Sequence, residues 1–514
     1  MTRQTSQRVR AFLWLGYAAI IILGVFERIP LIDPPSLWYD DEWVGALVRW
    51  ATFSDLFVYQ ASAPMGFVAA LKGFTSIESD PEWGLQILPM LCGLIVPLLI
   101  GWVVSRETQR PTLGLFAACL FAMNPIAIGY SMRIKQFSWD ALIVTVVLVV
   151  GLPMLRQINA VSLKRALLLS LTSLLSYTSI FVSAPMIHLS LVRSLGSSSD
   201  LRNAWWRLTR PVLIFDGIFL LYYVFRLREQ SRSDVTAFWE IRGALPNGSL
   251  NSLAGYFLLN DHFGLTVAVG RALPFLPTLL GATLAAIALL VLWAHRPTRW
   301  TAAFFTGVYG LAICAALLGV YPFGGVRTDI FSYPVTVTMI ALAFGTILVA
   351  LPTRLRDQAS VILAASGLAL LFFAAYSPQW APVPYPQRSD SELVELLEET
   401  RDPDDLVLIS QTAHHAIGYY SKLPMVYAQP RHGGFRMQPL DTQIILMEWT
   451  ELYLDPEEIE PFDRIWYFDI ALTPTSYEMS QKRIQWLHEA GFELLESIDR
   501  PKGSLQLLTR SEGG

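Results

Sequence analysis

The chain has 514 residues, 53% of them hydrophobic and 16% charged, whereas an ordinary soluble domain carries about 25% charge. That shortage of charge points to lipid, and a net charge of −4 gives no reason to expect a nucleic-acid partner. The three cysteines, Cys92, Cys119 and Cys314, lie far apart in apolar runs, without His or carboxylate neighbours at ligand spacing, and read as packing residues.

In chain order, Arg3, Arg8 and Arg10 precede an apolar run ending near Leu31, and no small-residue cleavage site follows. This predicts an uncleaved signal anchor with a cytoplasmic N-terminus. Apolar runs that suit a hydrocarbon core recur at 11–31, 84–104, 111–128, 138–155, 165–179, 180–193, 211–226, 266–293, 300–320, 332–351 and 358–376. They predict about eleven spans. The pair at 165–193 is too short for two full spans unless residues 176–179 form a re-entrant break lined by protein. An odd total puts the tail opposite the N-terminus. Arg106, Arg110, Arg156, Lys164, Arg165, Arg193, Arg210, Arg296, Arg299, Arg354 and Arg356 then fall on the N-terminal side, as the positive-inside rule requires.

The outer loops are therefore 32–83, 130–137, 227–264 and 321–331. In the first, Val44, Leu47, Val48 and Ala51 fall at helical spacing and predict an amphipathic helix over 41–53, lying in the membrane interface. From residue 382 the chain becomes acidic and its periods shorten. Helices are predicted over 391–400, 414–420 and 476–489, and strands over 405–410, 464–468, 492–498 and 504–509, after a Pro-rich linker at 377–386. The predicted architecture is a polytopic α-helical membrane domain over 1–381 and a small, extracytoplasmic α/β soluble domain over 382–514.

The strongest chemical signal is Trp38-Tyr39-Asp40-Asp41-Glu42-Trp43, three acids opening the amphipathic helix. A helix start favours carboxylates, so one bland reading is a capped interfacial helix. Three adjacent acids repel one another, which favours function. The second signal is the turn Tyr130-Ser131-Met132-Arg133-Ile134-Lys135-Gln136-Phe137-Ser138-Trp139-Asp140. The third is Tyr321-Pro322-Phe323-Gly324-Gly325-Val326-Arg327-Thr328-Asp329, where glycines let the backbone approach a neighbour. Cations on the outer side run against the orientation rule. A phosphate ligand would supply the reason, and snorkelling to lipid headgroups is the alternative.

With these motifs in hand, the sequence resembles the GT-C class of glycosyltransferases that use polyprenyl-phosphate sugars, near the protein O-mannosyltransferases and the lipid A aminoarabinose transferase. The resemblance rests on Asp41-Glu42, on Ala63-Pro64-Met65-Gly66, and on Glu82-Trp83-Gly84-Leu85-Gln86-Ile87-Leu88-Pro89. It continues in Lys135-Gln136-Phe137-Ser138-Trp139-Asp140, like the class's Lys-x-Tyr-Ser-x-Asp turn, and in 321–327. Two positions depart from the pattern: Phe137 stands where Tyr is common and Gln86 where Arg is frequent.

The resemblance and the chemistry together imply an inverting transfer of a sugar from a polyprenyl-phosphate donor to a hydroxyl of a lipid, glycan or protein acceptor, at the outer face of the inner membrane. Asp41 is the expected general base, with Glu42 orienting it or the acceptor. Lys135, Arg133 and Arg327 are expected at the donor phosphate, and Asp40, Tyr321 and Asp140 as further substrate contacts. Asp40 also suits the helix cap. No cofactor is required, although clustered oxygens also suit a divalent metal such as Mg²⁺ or Ca²⁺. His414 and His415, adjacent on a helix, do not share a face and are expected at the surface. Asp261-His262 in the long outer loop carries no assignment, and Trp205-Trp206 reads as an interfacial anchor. Two other classes compete: a transporter or flippase of lipid-linked sugars, and a non-catalytic scaffold. A transporter expects ionisable residues deep in spans, where Asp216 is the exception in this chain.

Overall fold

The computed structural model describes residues 3–31, 36–57, 63–76, 81–156, 161–196, 201–228, 249–257, 264–325, 327–377, 389–410, 412–423, 425–428, 436–440, 443–447, 454–470 and 474–511. The chain begins with α1 (Arg3–Phe26), α2 (Tyr39–Trp50), α3 (Met65–Thr75) and α4 (Pro81–Thr108). There follow α5 (Pro111–Ala122), α6 (Pro125–Tyr130), α7 (Phe137–Gly151), α8 (Leu163–Leu175), α9 (Ile180–Gly196) and α10 (Leu201–Tyr222). Next are α11 (Leu250–Phe257), α12 (Leu265–Gly270), α13 (Thr278–Ala294), α14 (Arg299–Leu317), α15 (Ser332–Val349) and α16 (Thr353–Tyr376). The tail carries α17 (Asp390–Thr400), β1 (Leu406–Ser410), α18 (His414–Tyr420), β2 (Met425–Ala428), β3 (Arg436–Pro439) and β4 (Ile444–Met447). It ends with α19 (Pro456–Ile459), β5 (Arg464–Ile470), α20 (Pro474–Glu489), β6 (Phe492–Arg500) and β7 (Gly503–Arg510).

Packing divides the chain into two compact units. The first holds Met1–Ile32, Pro64–Phe67 and Gln86–Pro384; the second joins Asp33–Ala63 and Val68–Leu85 to Tyr385–Gly514. The loop after α1 therefore packs with the tail.

Among the described residues of the helical unit and its flanks, eight helices are long and apolar enough to cross a bilayer: Gln7–Leu31, Trp83–Thr108, Phe137–Leu155, Tyr177–Gly196, Leu208–Phe225, Arg296–Leu317, Arg327–Val349 and Thr353–Tyr376. Met65–Thr75, Pro111–Ala122 and Thr278–Ala294 are shorter apolar helices. The sequence reading of about eleven spans treats two broken runs as continuous. Pro125 ends α5, and the Asn124 side chain accepts from the Ile126 and Ala127 amides at 3.0 and 3.1 Å, restarting the chain as α6. A turn through Pro274 and Pro277 separates α12 from α13. The break anticipated at 176–179 is present: α8 stops at Leu175, and Tyr177–Ser179 forms a single 3₁₀ turn before α9.

The helices α5 and α15 are buried almost throughout, while Trp14, Leu220, Leu290 and Phe373 point outward. Such outward apolar side chains suit a lipid solvent. Cys92 and Cys119 are buried as packing residues, but Cys314 is exposed on α14. Trp205 and Trp206 are both exposed, as an anchor requires.

The tail is built on a five-stranded sheet of order β4-β1-β5-β7-β6, with β4, β1 and β5 parallel, β7 antiparallel to β5, and β6 antiparallel to β7. Central strands covered on both faces read as continuous apolar runs. Accordingly β1 is buried along its whole length. Val407, Ile409, Trp466 and Phe468 join α17 in one core, while Leu406, Leu408, Ile465 and Tyr467 join Phe492 and Leu487 in another. That division is the period-2 alternation of a strand. The predicted tail elements all occur within a few residues of their expected ends, whereas β2, β3 and β4, each of 4 residues, escape a periodicity reading. The linker from 378 and most of the predicted loop 227–264, including Asp261-His262, lie outside the described residues.

Phe468, fully buried on β5, tests the sheet core. Phe468→Ala should cost the tail about 3–5 kcal/mol, read as earlier loss of amide-exchange protection over β1 and β5 in rising denaturant. Unchanged protection would contradict the packing described.

Candidate functional site

In the helical unit, two turns that carry cations meet on one aromatic pair. Tyr130 ends α6 and Phe137 opens α7, and their rings lie edge to face with centroids 5.1 Å apart. The Arg133 guanidinium sits 6.0 Å from the Tyr130 ring centre and the Arg327 guanidinium 5.9 Å from that of Phe137. Both distances suit attraction of a cation by an aromatic face. Lys135, between the rings in sequence, is buried at 3% exposure. Phe137 thus gives a ring face to Arg327 where a tyrosine would add a hydroxyl.

The first turn is fixed from α1, through a residue that the sequence reading passes over. Arg28 is 4% exposed; its Nε donates to Ser131 Oγ at 2.7 Å and its Nη1 to the Gly24 carbonyl at 2.7 Å. Ser131 Oγ in turn donates to the Ile128 carbonyl at 2.6 Å. Asp140, in the first turn of α7, accepts from Ser176 Oγ at 2.5 Å, so one of its oxygens holds the 176–179 break.

The second turn closes on its own carboxylate. The Gly324 amide donates to Asp329 Oδ2 at 3.2 Å, and the Gly325 amide donates to the same oxygen. Thr328 Oγ1 donates to the Pro322 carbonyl at 2.8 Å, and Tyr321 Oη donates to the Thr328 carbonyl at 2.8 Å. Burial, with the Asp329 and Asp140 carboxylates adding to it, pushes the Tyr321 phenol well above its ordinary value, so it serves as a neutral donor. The neighbour that the glycines approach is the 264–271 segment. Gly264 donates to the Gly324 carbonyl at 2.6 Å, Arg271 donates to the Gly325 carbonyl, and Tyr256 Oη donates to the Phe323 carbonyl. Gly325 has φ +86°, and a Cβ there would lie 2.6 Å from the Val267 side chain.

The acids belong to the other unit. Asp41 and Glu42 are fully buried in the first turn of α2, and Asp40 is half-buried beside them. The cap expected at Asp40 falls instead to Trp38, which makes no side-chain capping bond. Val44, Leu47, Val48 and Ala51 are buried as their spacing predicts. Gly45 and Ala46 are buried too, so α2 is covered by protein on more than one side rather than lying half-wet in an interface.

The cover includes α18. The Arg49 guanidinium donates to the Tyr419 carbonyl, and Trp50 Nε1 donates to the Gly418 carbonyl at 2.7 Å. These donors answer carbonyls that a helix end leaves open. Nearby, the Leu37 amide donates to Tyr420 Oη at 2.6 Å, Ser36 Oγ and Ser391 Oγ share a hydrogen bond of 3.0 Å, and Lys72 Nζ donates to the Val48 carbonyl at 2.7 Å. A Cβ on Gly45 would lie 2.8 Å from the Tyr419 ring. His414 and His415, expected at the surface, are buried at 5% and 6% exposure. The reason is tertiary: His415 stacks on Trp43 with centroids 5.2 Å apart and planes at 11°, and contacts Tyr39 at 4.6 Å.

The structure therefore brings Arg133, Lys135, Arg327, Tyr321 and Asp140 together in the helical unit, and Asp40, Asp41 and Glu42 together in the tail unit. Sequence reasoning missed Arg28 and Arg271, quoted Asp329 without a role, and expected the buried His415 at the surface. For Arg28 a signal exists, since Glu27-Arg28 interrupts the apolar run of the first span. Asp216 lies within α10, where His188 Nε2 meets its carboxylate at 3.3 Å. Among the described residues, no three His, Cys, Asp or Glu side chains gather as a metal site would need.

Against solved structures, the chain is similar to ArnT from Cupriavidus metallidurans in its apo state, with a TM-score of 0.54 and 12% identity, covering 97% of this chain and 98% of that one. The same protein bound to undecaprenyl phosphate gives a TM-score of 0.53 at 12% identity over the same shares. No family model and no curated protein matches. At this identity the likeness is one of fold, and it covers nearly the whole chain.

Two substitutions probe the geometry. Asp329→Ala leaves the Gly324 and Gly325 amides without their acceptor and should cost about 1–3 kcal/mol. Gly45→Val forces a side chain into the Tyr419 ring and should cost about 1–3 kcal/mol. Both are read as a lowered unfolding temperature of the purified protein; an unshifted transition in either would refute the contact concerned.

Proposed function

We propose that the chain is an inverting glycosyltransferase that moves a sugar from a polyprenyl-phosphate donor to a hydroxyl acceptor on the outer side of the cell membrane. What carries this reading is the meeting of Arg133 and Arg327 on the Tyr130–Phe137 pair, with Lys135 beside them, in a fold whose solved neighbour ArnT is seen with undecaprenyl phosphate. A phosphate is the ligand that explains outer-side cations held in fixed geometry.

The chemistry follows from the charges. Asp41 takes the proton of the acceptor hydroxyl, whose oxygen attacks the anomeric carbon from the face opposite the phosphate. The bond from that carbon to the phosphate oxygen breaks, and the polyprenyl phosphate leaves with the electron pair. Lys135, Arg133 and Arg327 stabilise the charge that develops on it. Direct displacement inverts the anomeric centre. Glu42 orients Asp41 or the acceptor. Phosphate charge answered by three cations makes a divalent metal dispensable in this reading, and turnover in the presence of a chelator tests that point.

The principal alternative is a transporter of lipid-linked sugars. The His188–Asp216 pair within α9 and α10 is the feature that favours it. One pair makes no relay, and the ionisable residues assigned to the chemistry gather in the turns and in α2.

Envelope lipids, glycans and proteins are compared by mass analysis in cells with the gene, without it, and with Asp41→Asn. The transferase predicts that a single sugar addition disappears in both altered strains. The purified Asp41→Asn protein should still bind undecaprenyl phosphate, with turnover reduced on the order of 10²–10⁴-fold. Arg327→Ala should weaken that lipid's binding by about 10- to 100-fold, the worth of a charged hydrogen bond. An unaltered product profile in the Asp41→Asn strain would sink the enzymatic reading and leave the transporter or scaffold.

A further inference from the structure

We propose that His415 is a positioning residue for the acid helix, so that the C-terminal domain sets the geometry of Asp41 and Glu42. The inference rests on the transferase reading for its functional meaning, but its structural content stands on the contacts alone.

The first turn of α2 holds three acids and has no side-chain cap: Trp38 occupies the cap position without capping. Such a turn frays unless tertiary contacts hold it. One such contact comes from α18. Tyr39 and Trp43 are one helical turn apart and therefore share a face. They close on the His415 ring, at 4.6 and 5.2 Å, and bracket Asp40, Asp41 and Glu42 in sequence. His414 backs the stack, its ring centre 3.7 Å from that of His415.

Further along, Gly45 approaches Tyr419 and Trp50 reaches Gly418, so the contact with α18 continues along α2. Positions 39, 42, 43, 46, 49 and 50 follow the i, i+3, i+4, i+7 pattern of one face. Glu42 thus lies on the face turned to α18, and Asp41 is rotated from it by about 100°. An acid on a rotating first turn would sample many directions. The ring between Tyr39 and Trp43 restricts that freedom and so helps to set where the Asp41 carboxylate stands relative to an acceptor. Misplacement of a reacting group by about 1 Å can cost on the order of a hundredfold in rate, so the ring's effect should appear in turnover more than in donor binding.

The test uses the full chain in nanodiscs, with undecaprenyl-phosphate-linked mannose, glucose and aminoarabinose as donors and an envelope extract as acceptor. His415→Leu keeps volume and removes the ring; His415→Phe keeps the ring and removes the nitrogens. The expected result for His415→Leu is faster amide exchange over α2 and a fall in kcat of about tenfold or more. KM for the donor and affinity for undecaprenyl phosphate should stay within about twofold, since none of the phosphate cations takes part in the His415 contact. His415→Phe should restore both exchange and kcat. If His415→Leu does not fold, Tyr39→Leu opens the same clamp from the α2 side and is measured identically. Turnover and exchange matching the unaltered protein in the folded variant would overturn the proposal, as would a His415→Phe protein as slow as His415→Leu. Should the unaltered protein transfer none of the sugars, the transferase reading fails, while the exchange rates still decide whether His415 orders α2.

Discussion

Arg28 and Ser131 meet across 103 residues of sequence, in a place where neither has water to fall back on. A guanidinium buried at the end of a spanning helix must spend its hydrogens on protein acceptors, because hydrocarbon offers none. Ser131 and the Gly24 carbonyl accept them, and Ser131 passes the constraint on through its own hydroxyl to Ile128. The turn that carries Arg133 and Lys135 is thereby tied to the first helix. Asn124 sharpens its entry by capping α6, and its amide also reaches the Arg271 carbonyl at 2.9 Å. That bond leads to the 264–271 segment, which holds the backbone of the Gly324-Gly325 turn. One chain of hydrogen bonds thus sets the spacing of cations drawn from distant stretches of sequence.

The two halves of the chemistry are stabilised by different means. Around the cations, backbone groups and aromatic faces dominate, and the Asp329 carboxylate is consumed in holding glycine amides. Around the acids, the α2 helix is gripped by rings and by donors to α18 carbonyls. The contrast suits the roles proposed for them: a phosphate site needs fixed positive charge, whereas a base must present one carboxylate in a defined direction.

Much of this was legible in the residues. Spans, the acid motif, the cation turns and most tail elements announce themselves locally, through apolar run length, charge against the orientation rule, and strand or helix period. The break after Leu175 was legible as well, because two full crossings do not fit into 165–193. His415 was not legible: its burial comes from Tyr39 and Trp43, hundreds of residues away, and an isolated seven-residue helix gives no hint of which side will be covered. Asp329 was quoted within its motif yet hidden in function, since only the folded turn reveals that its oxygen is taken by Gly324 and Gly325. The split of the 111–128 run escaped for a simpler reason: apolar content continues straight through Pro125 while the backbone does not.

The grouping of Asp33–Ala63 and Val68–Leu85 with Tyr385–Gly514 bears on how such proteins diversify. A recombination event that swaps only the tail between two relatives divides a single packing unit, leaving α2 against a foreign α18 with mismatched rings and glycine. The inheritable module is discontinuous: an early loop and a late domain must change together. Lineages that alter acceptor preference through their C-termini would then carry matching changes near residue 45, far upstream in the gene.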